Sequence, residues 1–331
     1  MTEEIKAIKE MDLSFSEYLM YVSEDIRTSV QHTENISTGR QIGQIGRIYR
    51  GHCESSWRLL PNVSRENSLN HMDTLINNFP LSQSFGNDKI KTEFQLLKNF
   101  YTTANLHGLK IPDSKYFRHV DNIQTMSPTT ILSKRGEWYF DDDIENIAAL
   151  AQHYGVPTRM LDWTYDSDCA LYFATKNAVK NLLDKKDKYA IKKLSIYLTS
   201  SSSNIDLGCP ELRITTPNYY QNPNLAAQKG CFINWRYRHD EFEYLDKAID
   251  EMIEMPLTEE QAKKKGVNKD RLKLFAKDKI FKFNILYSEV PIIWEYLLNK
   301  GCSASKYFPG YHSIVEDMNE WKMLAELKMK T

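Results

Sequence analysis

The chain has 331 residues, 41% hydrophobic and 26% charged, the composition of a globular protein with a sizeable core and not of a disordered one. Lys plus Arg (43) nearly cancels Asp plus Glu (44), so no overall field selects nucleic acid or a membrane surface, though a local basic cleft stays compatible with it. The five cysteines (Cys53, Cys169, Cys209, Cys231, Cys302) are odd in number, far apart and form no CxxC, which argues against a disulfide framework or a zinc site and suits a reducing cytoplasm.

In chain order, residues 1 to about 40 read as an amphipathic helical lead-in followed by a polar loop, QHTENISTGR. The opening MTEEIKAIKEMDLSF is charged and lacks the apolar stretch of a signal peptide. No segment approaches the roughly 20 apolar residues that span a bilayer, so a soluble, cytoplasmic protein without membrane contact is expected. A short strand is predicted over Ile45–Arg50, closed by Gly51. Asn67–Leu109 is mostly helical, best over KIKTEFQLLKNFYTTANL, where Phe94, Leu97, Phe100 and Tyr101 share a face. Asp141, Asp142 and Asp143 precede IENIAALAQHYG, acidic at the start and ending in Gly as a capped helix does.

Leu161–Thr164 is a short extended piece and Asp168–Lys180 a further helix; strands follow at Leu194–Thr199 and Gly230–Trp235. Residues 236 to 280, with Lys263–Lys265, read as an exposed charged helical insertion (about 240–280). A last strand, Ile280–Tyr287, feeds a helix over Pro291–Lys300 that stops at Gly301, before YFPGYHS and a terminal helix. Unequal helices among short strands indicate α+β. The expected organisation is a helical N-terminal extension (1–43), one catalytic or binding domain (44–315) and a C-terminal helix (316–331).

Three segments concentrate polar residues in apolar surroundings, where each needs a partner. Tyr49-Arg50-Gly51-His52 ends a strand: an arginine fork suits phosphate or a ribose edge, and glycine admits close approach of a flat ligand. The bland alternative is a surface salt bridge and a turn. In HYGVPTRMLDWT, Gly155 and Pro157 fix the backbone and present Thr158 and Arg159. Asp162, between Leu161 and Trp163, is expected to pair with Arg159 or His153, and His153 to move a proton near neutral pH. The alternative is a structural network bracing a turn. In NPNLAAQKGCFINW, Gln228 stands at a strand entrance, able to hold a ribose hydroxyl or to serve as a plain edge amide. Phe308-Pro309-Gly310 reads as a mainly structural aromatic plug. Walker, GxGxxG, HExxH, GxSxG and kinase signatures are absent.

The order of these pieces resembles the FRG domain family: Tyr49-Arg50-Gly51, SSWRLLPNVSR, HYGVPTRMLDWT with ALYFA, AAQKGCF and GCSASKYFPG, over roughly residues 44 to 315. The resemblance implies a component of prophage and bacterial defence loci. A second likeness is to the Arg-Ser-Glu type ADP-ribosyltransferases. It implies a split-sheet core of that type, NAD as cofactor, Arg50 and Gly51 (after Tyr49) on the dinucleotide, Thr164 at the motif serine and Gln228 opening the third motif. That motif's catalytic Glu falls on Gly230, so the acid role would pass to Asp162 or a glutamate such as Glu211.

The leading expectation is therefore an NAD-dependent ADP-ribosyltransferase-like toxin or phage-defence effector with its cleft between two small sheets. Its catalytic group would be His153, Thr158, Arg159, Asp162, Thr164 and Gln228, with no metal. A macromolecular acceptor such as RNA, DNA or protein is implied, and an antitoxin or phage protein as partner. The alternatives are a metal-independent ribonuclease using His153 as base with Asp162 orienting it, and a non-catalytic ligand- or phage-sensing module.

Overall fold

A computed structural model describes residues 8–23, 46–65, 75, 89–114, 116–117, 142–184, 192–200, 212–235, 248–254 and 280–330. In chain order the strands are β1 (Ile8–Asp12), β2 (Arg47–His52), β3 (Leu161–Thr164), β4 (Lys193–Ser200), β5 (Leu212–Thr215), β6 (Gly230–Trp235) and β7 (Ile280–Leu286). The helices are α1 (15–23), α2 (Lys89–Leu106), α3 (Asp142–His153), α4 (Ser167–Asp184), α5 (Pro223–Ala227), α6 (Ile249–Glu254), α7 (Val290–Asn299), α8 (Ala304–Tyr307) and α9 (Tyr311–Lys330). The fold is α+β: one seven-stranded sheet in the order β1-β7-β4-β2-β3-β6-β5, antiparallel except for the parallel β1–β7 pair.

Alternation sends successive side chains of the central strands to opposite layers. Leu194, Ile196 and Leu198 of β4 pack with α4, α7 and α9 in a core that includes Leu171, Trp294, Leu297 and Leu324. Ile48, Leu161 and Trp163 pack on the other side with Phe94 and Leu97 of α2 and Ile144 and Ile147 of α3. The sheet is thus sandwiched, as a sheet with two apolar faces must be.

Two features position the cleft described below. β2 joins β4 through six residue pairs but joins β3 through one, Tyr49–Thr164. The expected pair of small sheets is therefore a single sheet whose halves meet at a narrow seam. Second, α4 lies unusually close to β2. A Cβ on Gly51 would stand 1.9 Å from the Ala170 carbonyl oxygen, so glycine is what lets the helix approach. The α4 face that docks there carries Ala170, Ala174 and Ala178, small residues that allow the same approach.

Several boundaries differ from expectation. Within the lead-in, Ile8–Asp12 is a strand and not helix, because the β-rich IFKFNIL of β7 offers a free edge and β1 takes it, while residues 15–23 are helical as expected. The charges of β1 are met there: Glu10 accepts from Asn284 at 2.6 Å and Lys282 at 3.0 Å, and Asp12 from Lys193 at 2.7 Å. β2 runs on past Arg50, since Gly51 and His52 pair with Ile196 and Ser195. α4 begins at Ser167, where the Asp166 carboxylate accepts from the backbone N–H groups of Asp168 and Cys169. The terminal helix starts at Tyr311. Of the charged insertion, Ile249–Glu254 is helical. Lys263–Lys265, Glu211, Cys209 and the polar stretch QHTENISTGR lie outside the described residues.

Candidate functional site

At the seam the sheet opens into a cleft of about 910 Å³, the size of a small-molecule or cofactor site. Its walls come from both halves: β2 and the turn after it, the end of α3, β3, the first turns of α4, the α5–Gln228 segment, and Phe308. Of the residues expected at a site, Tyr49, Arg50, Gly51, His153, Asp162, Thr164 and Gln228 line it; Thr158 and Arg159 do not.

Arg50 spans the seam. Its Nη1 donates to the backbone oxygen of Asp162 at 2.5 Å, across from β2 to β3, and its Nε donates to Nε2 of His52 at 2.9 Å. The side chain is 12% exposed, and the Asp162 carboxylate stands 3.9 Å away on a side chain that is 64% exposed. Burial pushes the guanidinium pKa down to about 10; Asp162 opposes this and Arg65 adds to it. Arg50 therefore stays charged at neutral pH, desolvated and incompletely neutralised, which is a costly state for the protein alone. His52 uses Nε2 as an acceptor, so its proton sits on Nδ1. Burial first and then the Arg50 charge hold its pKa well below the ordinary value, leaving it neutral.

A second guanidinium, Arg65, reaches the same cleft, with Nε on the carbonyl of Leu60 at 3.2 Å and its charge felt at both Arg50 and His52. Arg58 is neutralised, bound by Asp250 at 2.5 Å and Glu251 at 2.6 Å. Asp162 is the one carboxylate among the described lining residues. Two arginines against one carboxylate give the cleft a cationic balance that the whole-chain charge does not show. Trp57, 51% exposed at its rim, adds a flat apolar surface.

Residues 46–182 match the family model of the FRG domain. The FRG match runs from the residue before β2 into α4, so it holds Arg50, Arg65, Asp162 and the seam itself, while Gln228 lies beyond it. No curated protein and no solved structure matches the chain.

Within the FRG match, the segment between α3 and β3 separates into two roles. Arg159 is fully buried and forked onto Glu93 of α2: Nε donates to Oε2 at 2.8 Å and the backbone N–H to Oε1 at 2.7 Å. The expected Arg159–Asp162 pair is thus corrected: the nearer carboxylate belongs to a helix 66 residues upstream. Thr158 is also buried, but its hydroxyl donates to Oε1 of Gln152, whose Nε2 donates to Oδ1 of Asp162 at 2.7 Å. Thr158 thereby sets the Asp162 carboxylate through one intermediary. His153 pairs through Nε2 with the Asn224 side chain of α5, not with Asp162. Its burial lowers its pKa and Asp162 partly offsets that, so the ring is neutral at pH 7.

Thr164 and Gln228 do meet, but through internal bonds. The Thr164 hydroxyl donates to the Gln228 carbonyl at 2.6 Å and accepts from the Asp166 N–H at 2.9 Å. The Gln228 side chain donates to the carbonyl of Tyr307 at 3.1 Å. At Gly230, where the third motif of an Arg-Ser-Glu enzyme has Glu, a Cβ would stand 2.2 Å from Leu225 Cδ1, so a side chain there would have to displace Leu225. Gly51 likewise owes its identity to α4. Sequence reasoning missed His52, Trp57, Arg65 and Gln152 as site residues, although the first three stand in the quoted motifs and Gln152 directly precedes HYGVPTRMLDWT. Among the described residues no group of three or more His, Cys, Asp and Glu is placed to hold a metal ion, and no helix is long and apolar enough to cross a membrane. The described cysteines Cys53, Cys169, Cys231 and Cys302 are buried and free.

Proposed function

We propose that the cleft binds NAD⁺ and that the chain transfers ADP-ribose from it to a macromolecular acceptor. The observation that carries this reading is the convergence, at one seam, of two guanidiniums and a single carboxylate: Arg50, Arg65 and Asp162. An anionic ligand relieves the incomplete neutralisation of Arg50, and a pyrophosphate offers the oxygens that an arginine fork takes. Trp57 supplies a face for a ring.

Bound NAD⁺ supplies a glycosidic bond whose leaving group, nicotinamide, departs neutral with the bonding electron pair. The protein then needs no general acid. It needs a negative charge beside the ribose as positive charge develops there, and Asp162, held by Gln152, fills that need. The acceptor must lose a proton as it bonds to the ribose carbon. Neutral His153 at the cleft wall takes it on Nε2, the acceptor nitrogen of its ring, which must first give up the hydrogen bond it receives from the Asn224 side chain. Thr164 and Gln228 act by position, tying β3 to the entrance of β6.

Nicotinamide release from NAD⁺, measured with and without total RNA or lysate, tests the reading. Release that falls at least tenfold in Asp162→Asn and Arg50→Gln supports it. RNA shortened without NAD⁺ would instead favour a ribonuclease, and NAD⁺ binding with no turnover a sensing module. Neither binding nor release overturns it.

A further inference from the structure

Three arginines, Arg50, Arg58 and Arg65, line one end of the cleft together with Trp57. Arg50 meets a carboxylate only at 3.9 Å, whereas Arg58 is gripped by two, Asp250 at 2.5 Å and Glu251 at 2.6 Å. Both acids open helix α6, which the backbone fixes against the turn after β2. The Leu59 N–H donates to Oδ1 of Asp250 at 3.1 Å, and the Ile249 N–H donates to the Leu59 carbonyl at 2.9 Å. The two carboxylates therefore come with the fold. They stand at the rim, with side-chain exposures of 49% for Arg58 and 41% for Glu251.

The charges of NAD⁺ match those of the cleft one for one. Its pyrophosphate carries two negative charges for the Arg50 and Arg65 guanidiniums, and its pyridinium one positive charge for Asp162. With the pyrophosphate on those guanidiniums and the adenine ring on Trp57, the adenosine ribose lies between them, along the wall that continues from Trp57 into Arg58. NADP⁺ differs by a phosphate on the 2′-hydroxyl of that ribose, which adds close to about two negative charges at neutral pH. Dinucleotide sites that take the phosphate offer it an arginine, and sites for the bare hydroxyl offer a carboxylate. Arg58 is the arginine in the right place, but its fork is already filled, and one guanidinium against two carboxylates leaves this corner net negative. A 2′-phosphate there would meet like charge.

We propose that Asp250 and Glu251 make the cleft selective for NAD⁺ over NADP⁺, by occupying Arg58 and placing negative charge where the 2′-phosphate would lie. The inference rests on the NAD⁺ reading of the cleft. It gives the choice of dinucleotide to α6, an element beyond the residues matched by the FRG model.

Titration calorimetry with NAD⁺ and with NADP⁺ tests it. The wild type binds NADP⁺ at least about tenfold more weakly than NAD⁺. Glu251→Gln narrows that ratio by about threefold and Glu251→Lys by about tenfold, in both cases through NADP⁺ and with NAD⁺ affinity within about twofold of the wild type. The rim position of Glu251 leaves the thermal midpoint unchanged in both variants. Raising the salt from about 50 to about 500 mM shrinks the preference, as an electrostatic discrimination at an exposed rim requires. NADP⁺ binding as tightly as NAD⁺ in the wild type overturns the inference and leaves the NAD⁺ reading standing. A preference that Glu251→Lys does not move does the same. Binding of neither dinucleotide overturns both.

Discussion

Glu93→Gln separates a structural Arg159 from a catalytic one. Gln has the same shape but no charge, so the substitution leaves a guanidinium with 0% side-chain exposure facing a neutral amide. It also weakens the 2.7 Å bond that fixes the Arg159 backbone just ahead of β3. Removing one partner of a buried pair costs about 3–5 kcal/mol. A chain of this size loses roughly 2 °C of Tm per kcal/mol, so the midpoint should fall by about 6–10 °C. Circular dichroism or calorimetry measures it, with urea titration as a check that the slope against denaturant is unchanged. Glu93→Leu combined with Arg159→Met, which replaces the pair by apolar groups, should recover most of the loss. A Glu93→Gln midpoint within about 1 °C of the wild type, or a double variant worse than the single one, would refute the reasoning.

Further outcomes follow from the same geometry. Gly51→Ala forces its Cβ against the Ala170 carbonyl, so α4 must withdraw from β2; the variant should unfold at markedly lower temperature or fail to accumulate in soluble form. His52 and His153 have pKa values held below 6.5 in the folded chain, while the unfolded chain takes up protons near 6.5. Their contribution to stability is therefore present above that pH and lost as pH falls below it, by up to about 1.4 kcal/mol per pH unit for the buried His52 and by much less for His153, whose exposure screens it. Denaturation at pH 7.5 and 5.5 shows this, and His52→Gln, which keeps an acceptor for Arg50, should flatten the slope. Thr158→Val removes the hydroxyl that sets Gln152 and should lower nicotinamide release more than it raises the Michaelis constant, and an unchanged rate would dismiss the Thr158–Gln152–Asp162 relay.

How legible each part was depended on how local its cause is. β3 and β6 were read at their observed bounds because LDWT and GCFINW are short segments of strand-forming residues between turn residues, a signal carried by neighbours in sequence. β1 fell inside a stretch read as an amphipathic helical lead-in, whereas its conformation comes from the edge of β7, far along the chain. Arg50 and Arg159 look equivalent as letters: each is an arginine in an apolar frame. What divides them is Glu93, whose approach depends on where α2 packs, and no spacing near Arg159 announces it. The cleft's cationic balance was hidden similarly, since Arg58 and Arg65 stand seven residues apart and only the acidic start of α6 decides that one is neutralised and the other not. Gly51 was read for what it admits from a ligand and Gly230 for the glutamate it lacks, and the space beside each is taken by the protein's own atoms.

Isothermal titration of NAD⁺ into the wild type and Arg50→Gln tests the central claim most directly. Saturable heat with the wild type, at least tenfold weaker in a variant that retains its fold by circular dichroism, is the predicted result. Equal affinity in both proteins, or no heat with either at millimolar NAD⁺, would contradict it.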